Sequence, residues 1–117
     1  MKLNPSELDQ CFELFKEEGY FILPNFFEKA DIASLQERID QIMLGTADVD
    51  YDQIWMQLDT DSGKYEDLNW GGYGFQKATL DYRKIQGLEA DQRFLEFITS
   101  LFFVQLCEKV YGPNLPI

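Results

Sequence analysis

Tyr82, Lys84 and Gln86 stand two residues apart in the segment Tyr82-Arg83-Lys84-Ile85-Gln86, and in an extended strand that spacing puts all three side chains on one face. An ammonium, a phenol and an amide on a shared face can hold a carboxylate by charge-assisted hydrogen bonds. The same alternation also describes a solvated strand face, so the residues alone leave both readings open. A second set, Trp55, Trp70, Tyr73 and Phe75, offers wide aromatic surface with polar edges, suited either to lining an apolar substrate pocket or to filling the core of a loop-rich segment. The glycines of Gly72-Tyr73-Gly74 by themselves read as a turn between extended segments.

What is missing narrows the chemistry further. The chain has no histidine, and so lacks the commonest metal ligand and the side chain that titrates nearest neutrality. Reactions carried by this chain alone would run on carboxylates, tyrosines, lysines or cysteines; otherwise the histidines come from polypeptide outside it. No phosphate loop, nucleophile elbow, zinc spacing or dinucleotide fingerprint occurs. No catalytic residue and no metal ligand is therefore assigned within the chain.

With 10 Lys and Arg against 21 Asp and Glu, the formal net charge is −11, a field that repels phosphate backbones. Nucleic acid and anionic membrane are poor partners for such a surface. Cys11 and Cys107 sit far apart among apolar residues, as reduced core cysteines do, which favours the cytoplasm. No apolar run approaches the ~20 residues of a bilayer span, and Met1-Lys2-Leu3-Asn4-Pro5 leads into an amphipathic pattern with no signal-peptide core.

The elements that must position these residues are legible in the pattern. A chain of 117 residues with 45% hydrophobic composition suits one domain with a real core. Asn4 as N-cap, Pro5 at the first helical position and Glu7 three residues after the cap start a helix that Gly19 ends. Leu8, Cys11, Phe12 and Phe15 form its apolar stripe. Tyr20-Phe21-Ile22-Leu23 reads as a short buried strand closed by Pro24-Asn25. A second helix is expected over Glu28 to Leu44, with Ile32, Leu35, Ile39, Ile42 and Met43 on one face and Gly45 as its left-handed stop.

The stretch from Thr46 to Thr79 is loop-rich, with a strand expected over Gln53 to Leu58 and turn chemistry in Asp59-Thr60-Asp61-Ser62-Gly63. Its length and aromatic content suit a functional or covered segment. Tyr82 to Gln86 reads as a strand closed by Gly87. Asp91 then caps a helix with Phe94, Phe97, Ile98, Leu101 and Phe102 on its buried side; Leu101-Phe102-Phe103-Val104 either continues it or, the favoured reading, begins a further helix with Phe103, Leu106, Cys107 and Val110 as its stripe, ended by Gly112-Pro113. The fold class this implies is α+β.

Two stretches carry a family resemblance. Phe15-Lys16-Glu17-Glu18-Gly19-Tyr20-Phe21-Ile22-Leu23-Pro24-Asn25-Phe26-Phe27 followed by a long helix, and Tyr82-Arg83-Lys84-Ile85-Gln86-Gly87-Leu88 with Asp91-Gln92-Arg93-Phe94 and Val110-Tyr111-Gly112-Pro113-Asn114, together resemble the N-terminal part of phytanoyl-CoA dioxygenase-like proteins. These are iron(II) and 2-oxoglutarate-dependent oxygenases. The resemblance implies N-terminal helices and a few strands, residues 1–117, packed on a double-stranded β-helix, or jelly roll, that lies mostly beyond residue 117. It implies a facial triad of two histidines and a carboxylate, also beyond that point, so the chain alone is expected to be inactive and to hold neither cofactor tightly.

Lys84 matches the family lysine that helps to bind 2-oxoglutarate, and Gln86 is a weaker companion on the shared face. Trp70, Tyr73 and Phe75 become candidates for a substrate wall or lid. The reaction implied is hydroxylation of a C–H bond in a small-molecule or acyl substrate, coupled to decarboxylation of 2-oxoglutarate. A stand-alone acidic module that binds a partner protein through its aromatic segment is the alternative.

Overall fold

Asn4 is extended, and its side chain accepts from the Glu7 amide at 2.8 Å while the Glu7 carboxylate accepts from the Asn4 amide. This reciprocal box satisfies two donors that an uncapped helix would leave exposed, a contribution of about 1 kcal/mol. In the computed structural model, which describes residues 2–114, helix α1 therefore runs Pro5–Glu18 and stops where Gly19 turns left-handed. Helix α2 spans Lys29–Leu44. Strands β1 (Trp55–Leu58), β2 (Gly72–Tyr73) and β3 (Tyr82–Gln86) follow, then helices α3 (Gln92–Ile98) and α4 (Leu101–Tyr111).

The chain divides into two compact units, Met1–Ile32 with Ile98–Ile117, and Ala33–Phe97. In the first, α1 packs on α4. Asp9 and Lys109 form an ion pair across them, and the Lys109 ammonium lies 5.6 Å from the centre of the Phe12 ring. Phe26 packs on Phe102 with ring centres 4.5 Å apart, and Phe27 stacks on Phe103 at 6.2 Å. Phe102 and Cys11 are buried, and both Cys11 and Cys107 are free thiols.

One expected element is absent from this unit. Tyr20-Phe21-Ile22-Leu23 forms no strand, and Ile22 is 75% exposed. An apolar run becomes a strand only where a partner backbone completes its ladder; the strands of the described residues lie between Trp55 and Gln86 and pair with one another. Pro24-Asn25 does form the turn, with Asn25 at φ 55°.

The second unit is built on a three-stranded antiparallel sheet in the order β2-β1-β3. Its core is Ile42 from α2 with Ile54 and Met56, all fully buried, surrounded by Ile39, Tyr51, Tyr82, Ile85, Leu88 and Phe94. Removing each such side chain from water contributes about 1.5–3 kcal/mol. A break at Thr99-Ser100 separates α3 from α4, so the C-terminal helical pattern is two helices, as the spacing suggests. The architecture is thus α+β, with a small antiparallel sheet; the described residues do not form a jelly roll.

Candidate functional site

The sheet has two faces, and cross-strand register assigns each residue to one. Trp55 pairs with Gln86, Met56 with Ile85, Gln57 with Lys84 and Leu58 with Tyr82. Residues opposite one another in an antiparallel ladder point to the same side. Met56 and Ile85 turn to the core, so Trp55, Gln57, Lys84 and Gln86 occupy the other face, joined by Tyr73, which pairs with Trp55 from β2.

Tyr82 does not share that face. The ladder slips between Gln57 and Leu58, so that Arg83 is an extra residue on β3 and Tyr82 changes sides. A bulge of this kind breaks the two-residue alternation on which the expected Tyr82-Lys84-Gln86 set rested. Tyr82 instead packs against the core, and its hydroxyl donates to the Lys77 carbonyl at 2.6 Å while accepting from the Lys77 amide at 2.8 Å. What the fold brings together is Lys84 and Gln86 with Trp55, Gln57 and Tyr73.

Lys84 is exposed, and its ammonium lies 5.7 Å from the centre of the Trp55 ring. Among the described residues it has no carboxylate partner, in common with Lys2, Lys29, Lys64, Lys77, Arg83 and Arg93 and unlike Lys16, Arg38 and Lys109. Trp55 is held from below by a close backbone approach. Gly71, at φ +76°, has no Cβ, and one placed there would lie 2.7 Å from Trp55 Cζ2 and 2.8 Å from the Met56 carbonyl. Both the left-handed conformation and the space demand glycine.

The expected aromatic pocket divides. Tyr73 lies on the Lys84 face but is largely exposed, and Trp70 is 93% exposed at the rim of a cleft of about 220 Å³ floored by Gln57. Phe75 belongs elsewhere: it meets Tyr51 edge to face at 5.3 Å and covers Gly45 at the end of α2.

A second charged cluster escapes the sequence pattern. Arg38 on α2 reaches Asp91, 53 positions away, with Nε 2.8 Å and Nη2 2.6 Å from one carboxylate oxygen. Nη2 also donates to Asp48 at 3.0 Å, and the remaining nitrogen, Nη1, donates to Gln41 at 3.2 Å. The second oxygen of Asp91 accepts from the amides of Arg93 and Phe94 and so caps α3, the role its position predicts. Hydrogen bonding to Asp91 and Asp48 raises the Arg38 pKa above its ordinary value, and the bond from Arg38 lowers that of Asp48. Every polar atom of this guanidinium is committed, so it is structural. Only the helical position of Arg38 and the cap position of Asp91 are visible in sequence; their pairing is not.

With no histidine in the chain and, among the described residues, no group of three or more potential metal ligands in reach of one another, these residues do not fit an iron centre. No described helix is long and apolar enough to cross a membrane. Comparisons with protein-family models, with curated proteins and with solved structures find no match to this chain.

Proposed function

We propose that this chain is the N-terminal portion of a phytanoyl-CoA dioxygenase-like, iron(II)- and 2-oxoglutarate-dependent oxygenase, cytoplasmic, that hydroxylates a small-molecule or acyl substrate. The observation that carries the reading is the setting of Lys84: an exposed ammonium without a carboxylate partner among the described residues, on one sheet face with Gln57 and Gln86 and 5.7 Å from the centre of the Trp55 ring. An unpaired cation beside an indole ring and two amides suits a carboxylate ligand. Lys84 would donate charge-assisted hydrogen bonds to it, Gln86 on the same face would add a neutral donor, and the Trp55 ring would shield one side from water.

The iron ligands and the jelly-roll core belong, in this reading, to polypeptide beyond Ile117. No step of the reaction is derived through a metal that these residues do not hold. The coding frame past residue 117 tests the family directly. It should continue into a His-x-Asp pair within a few dozen codons, with a later histidine and arginine; a stop codon immediately after residue 117 sinks the proposal.

The alternative of an acidic interaction module draws on a separate observation, the exposure of Trp70 at 93% and Tyr73 at 72%. An unextended frame, together with capture of a defined partner that is lost on replacing both aromatics by alanine, selects it.

A further inference from the structure

The cleft over Gln57 has a chemical signature of its own. It is lined by Gln57, Tyr65, Glu66, Leu68, Asn69 and Trp70 and holds about 220 Å³. Gln57 is 9% exposed, and its Nε2 donates to the Asn69 carbonyl at 2.6 Å. That bond fixes the amide and leaves Oε1, which accepts no hydrogen bond among the described residues. Glu66 makes no ion pair among them. Two aromatic rings complete the walls, Trp70 at 93% and Tyr65 at 76% exposure.

Each of these groups offers electron density. An amide oxygen, a carboxylate and the Trp70 ring face accept hydrogen bonds or attract cations, and neither lysine nor arginine is among the residues lining the cleft. Tyr65 already holds a guanidinium, that of Arg83, with its central carbon 5.2 Å from the ring centre. The surrounding charge of −11 raises the local concentration of any cation. We infer that the cleft binds an organic cation with N–H donors, an alkylguanidinium or alkylammonium head, with the N–H groups on Gln57 Oε1 and Glu66, the charge over the Trp70 ring and the alkyl stem on Leu68.

The test is a titration of the whole chain with butylguanidinium, followed by NMR through the two indole N–H signals and the glutamine side-chain amides. The expected result is a saturable shift of the Trp70 indole and the Gln57 amide, with butylurea, its neutral counterpart, moving neither. Glu66→Gln and Trp70→Ala should each weaken binding about threefold, the scale of a cation–π or charge contact at an exposed site, with the far-ultraviolet circular dichroism unchanged. Equal binding of butylurea, or undiminished butylguanidinium binding in both variants, overturns the assignment.

A capped Gly-Arg-Gly peptide separates two sources of the same chemistry. Tighter binding than butylguanidinium identifies an arginine side chain of another protein, and binding of the free cation alone identifies a small molecule. Glu66 and Trp70 lie outside the set around Lys84, so the two variants test this cleft without touching the 2-oxoglutarate assignment; Gln57, which borders both, serves here as a reporter only.

Discussion

Arg38 and Lys84 are cations of the same compact unit, and the chain uses them in opposite ways. Arg38 is surrounded: Asp91, Asp48 and Gln41 take its donors, and the Asp91 side chain is fully buried. Lys84 stands in solvent beside one indole ring. A cation whose hydrogen bonds are all internal fastens elements together, whereas one left without a counter-ion in an acidic protein is available to something that arrives. The contrast makes a quantitative statement: substitutions around Arg38 should act on stability, and those at Lys84 on binding.

The largest expected effect is at the first of these. Asp91→Ala strands the Arg38 guanidinium without its buried partner and uncaps α3 at the Arg93 and Phe94 amides. Breaking one side of a buried pair costs about 3–5 kcal/mol, a large part of the stability of a small domain. Urea unfolding should show the midpoint falling steeply with little change in slope. A loss below about 1 kcal/mol would place Arg38 and Asp91 among ordinary surface pairs and dissolve the comparison.

Gly71→Ala comes next and probes the support under the Lys84 face. The new Cβ would press on the Trp55 ring and the Met56 carbonyl at a left-handed φ, for a cost of about 1–3 kcal/mol. The Trp55 indole signal should move further than that of Trp70. An unchanged Trp55 environment would show that the ring beneath Lys84 is not fixed by this approach.

A smaller effect follows from Tyr51. Its phenol donates to the Ile42 carbonyl at 2.9 Å, and burial raises its pKa above the ordinary value of 10.0. The folded state therefore holds the proton more tightly than the unfolded chain does. The stabilisation is complete below pH 10 and is lost as the pH climbs from there through the folded-state pKa. Tyr51→Phe should flatten that alkaline decline while leaving stability at neutral pH lower by about 1 kcal/mol, the worth of one hydrogen bond.

How far each part was legible in sequence depends on the distance over which its cause acts. The start of α1 is written in four residues, Asn4 to Glu7, and its end in Gly19, so local pattern suffices. The break between α3 and α4 is likewise local, visible as a change in the apolar stripe around Leu101. Asp91 was readable as a cap but not as the partner of Arg38, since nothing near either residue encodes a bond across 53 positions.

Tyr82 illustrates a subtler loss. Its segment is a strand, as the alternation suggests, but the bulge at Arg83 belongs to the ladder with β1 and not to β3 alone. One extra residue moved the phenol to the core face and left Lys84 and Gln86 with Trp55, Gln57 and Tyr73. Tyr20 to Leu23 failed for the converse reason: the apolar run is present, and no neighbouring strand among the described residues receives it.

Lys84→Ala completes the contrast with the smallest effect on folding and the most specific effect on binding. The side chain is exposed and makes no ion pair among the described residues, so its removal forfeits only the contact with Trp55, about 0.5 kcal/mol at an exposed site. In a protein extended to contain an iron site, the same change should weaken 2-oxoglutarate binding about tenfold or more, since a charge-assisted hydrogen bond contributes about 1.5–3 kcal/mol. Lys84→Arg keeps the charge while altering its reach and donor geometry, and should recover part of the affinity. Parallel loss of stability and affinity in Lys84→Ala would instead make Lys84 a second Arg38, a cation the fold needs for itself.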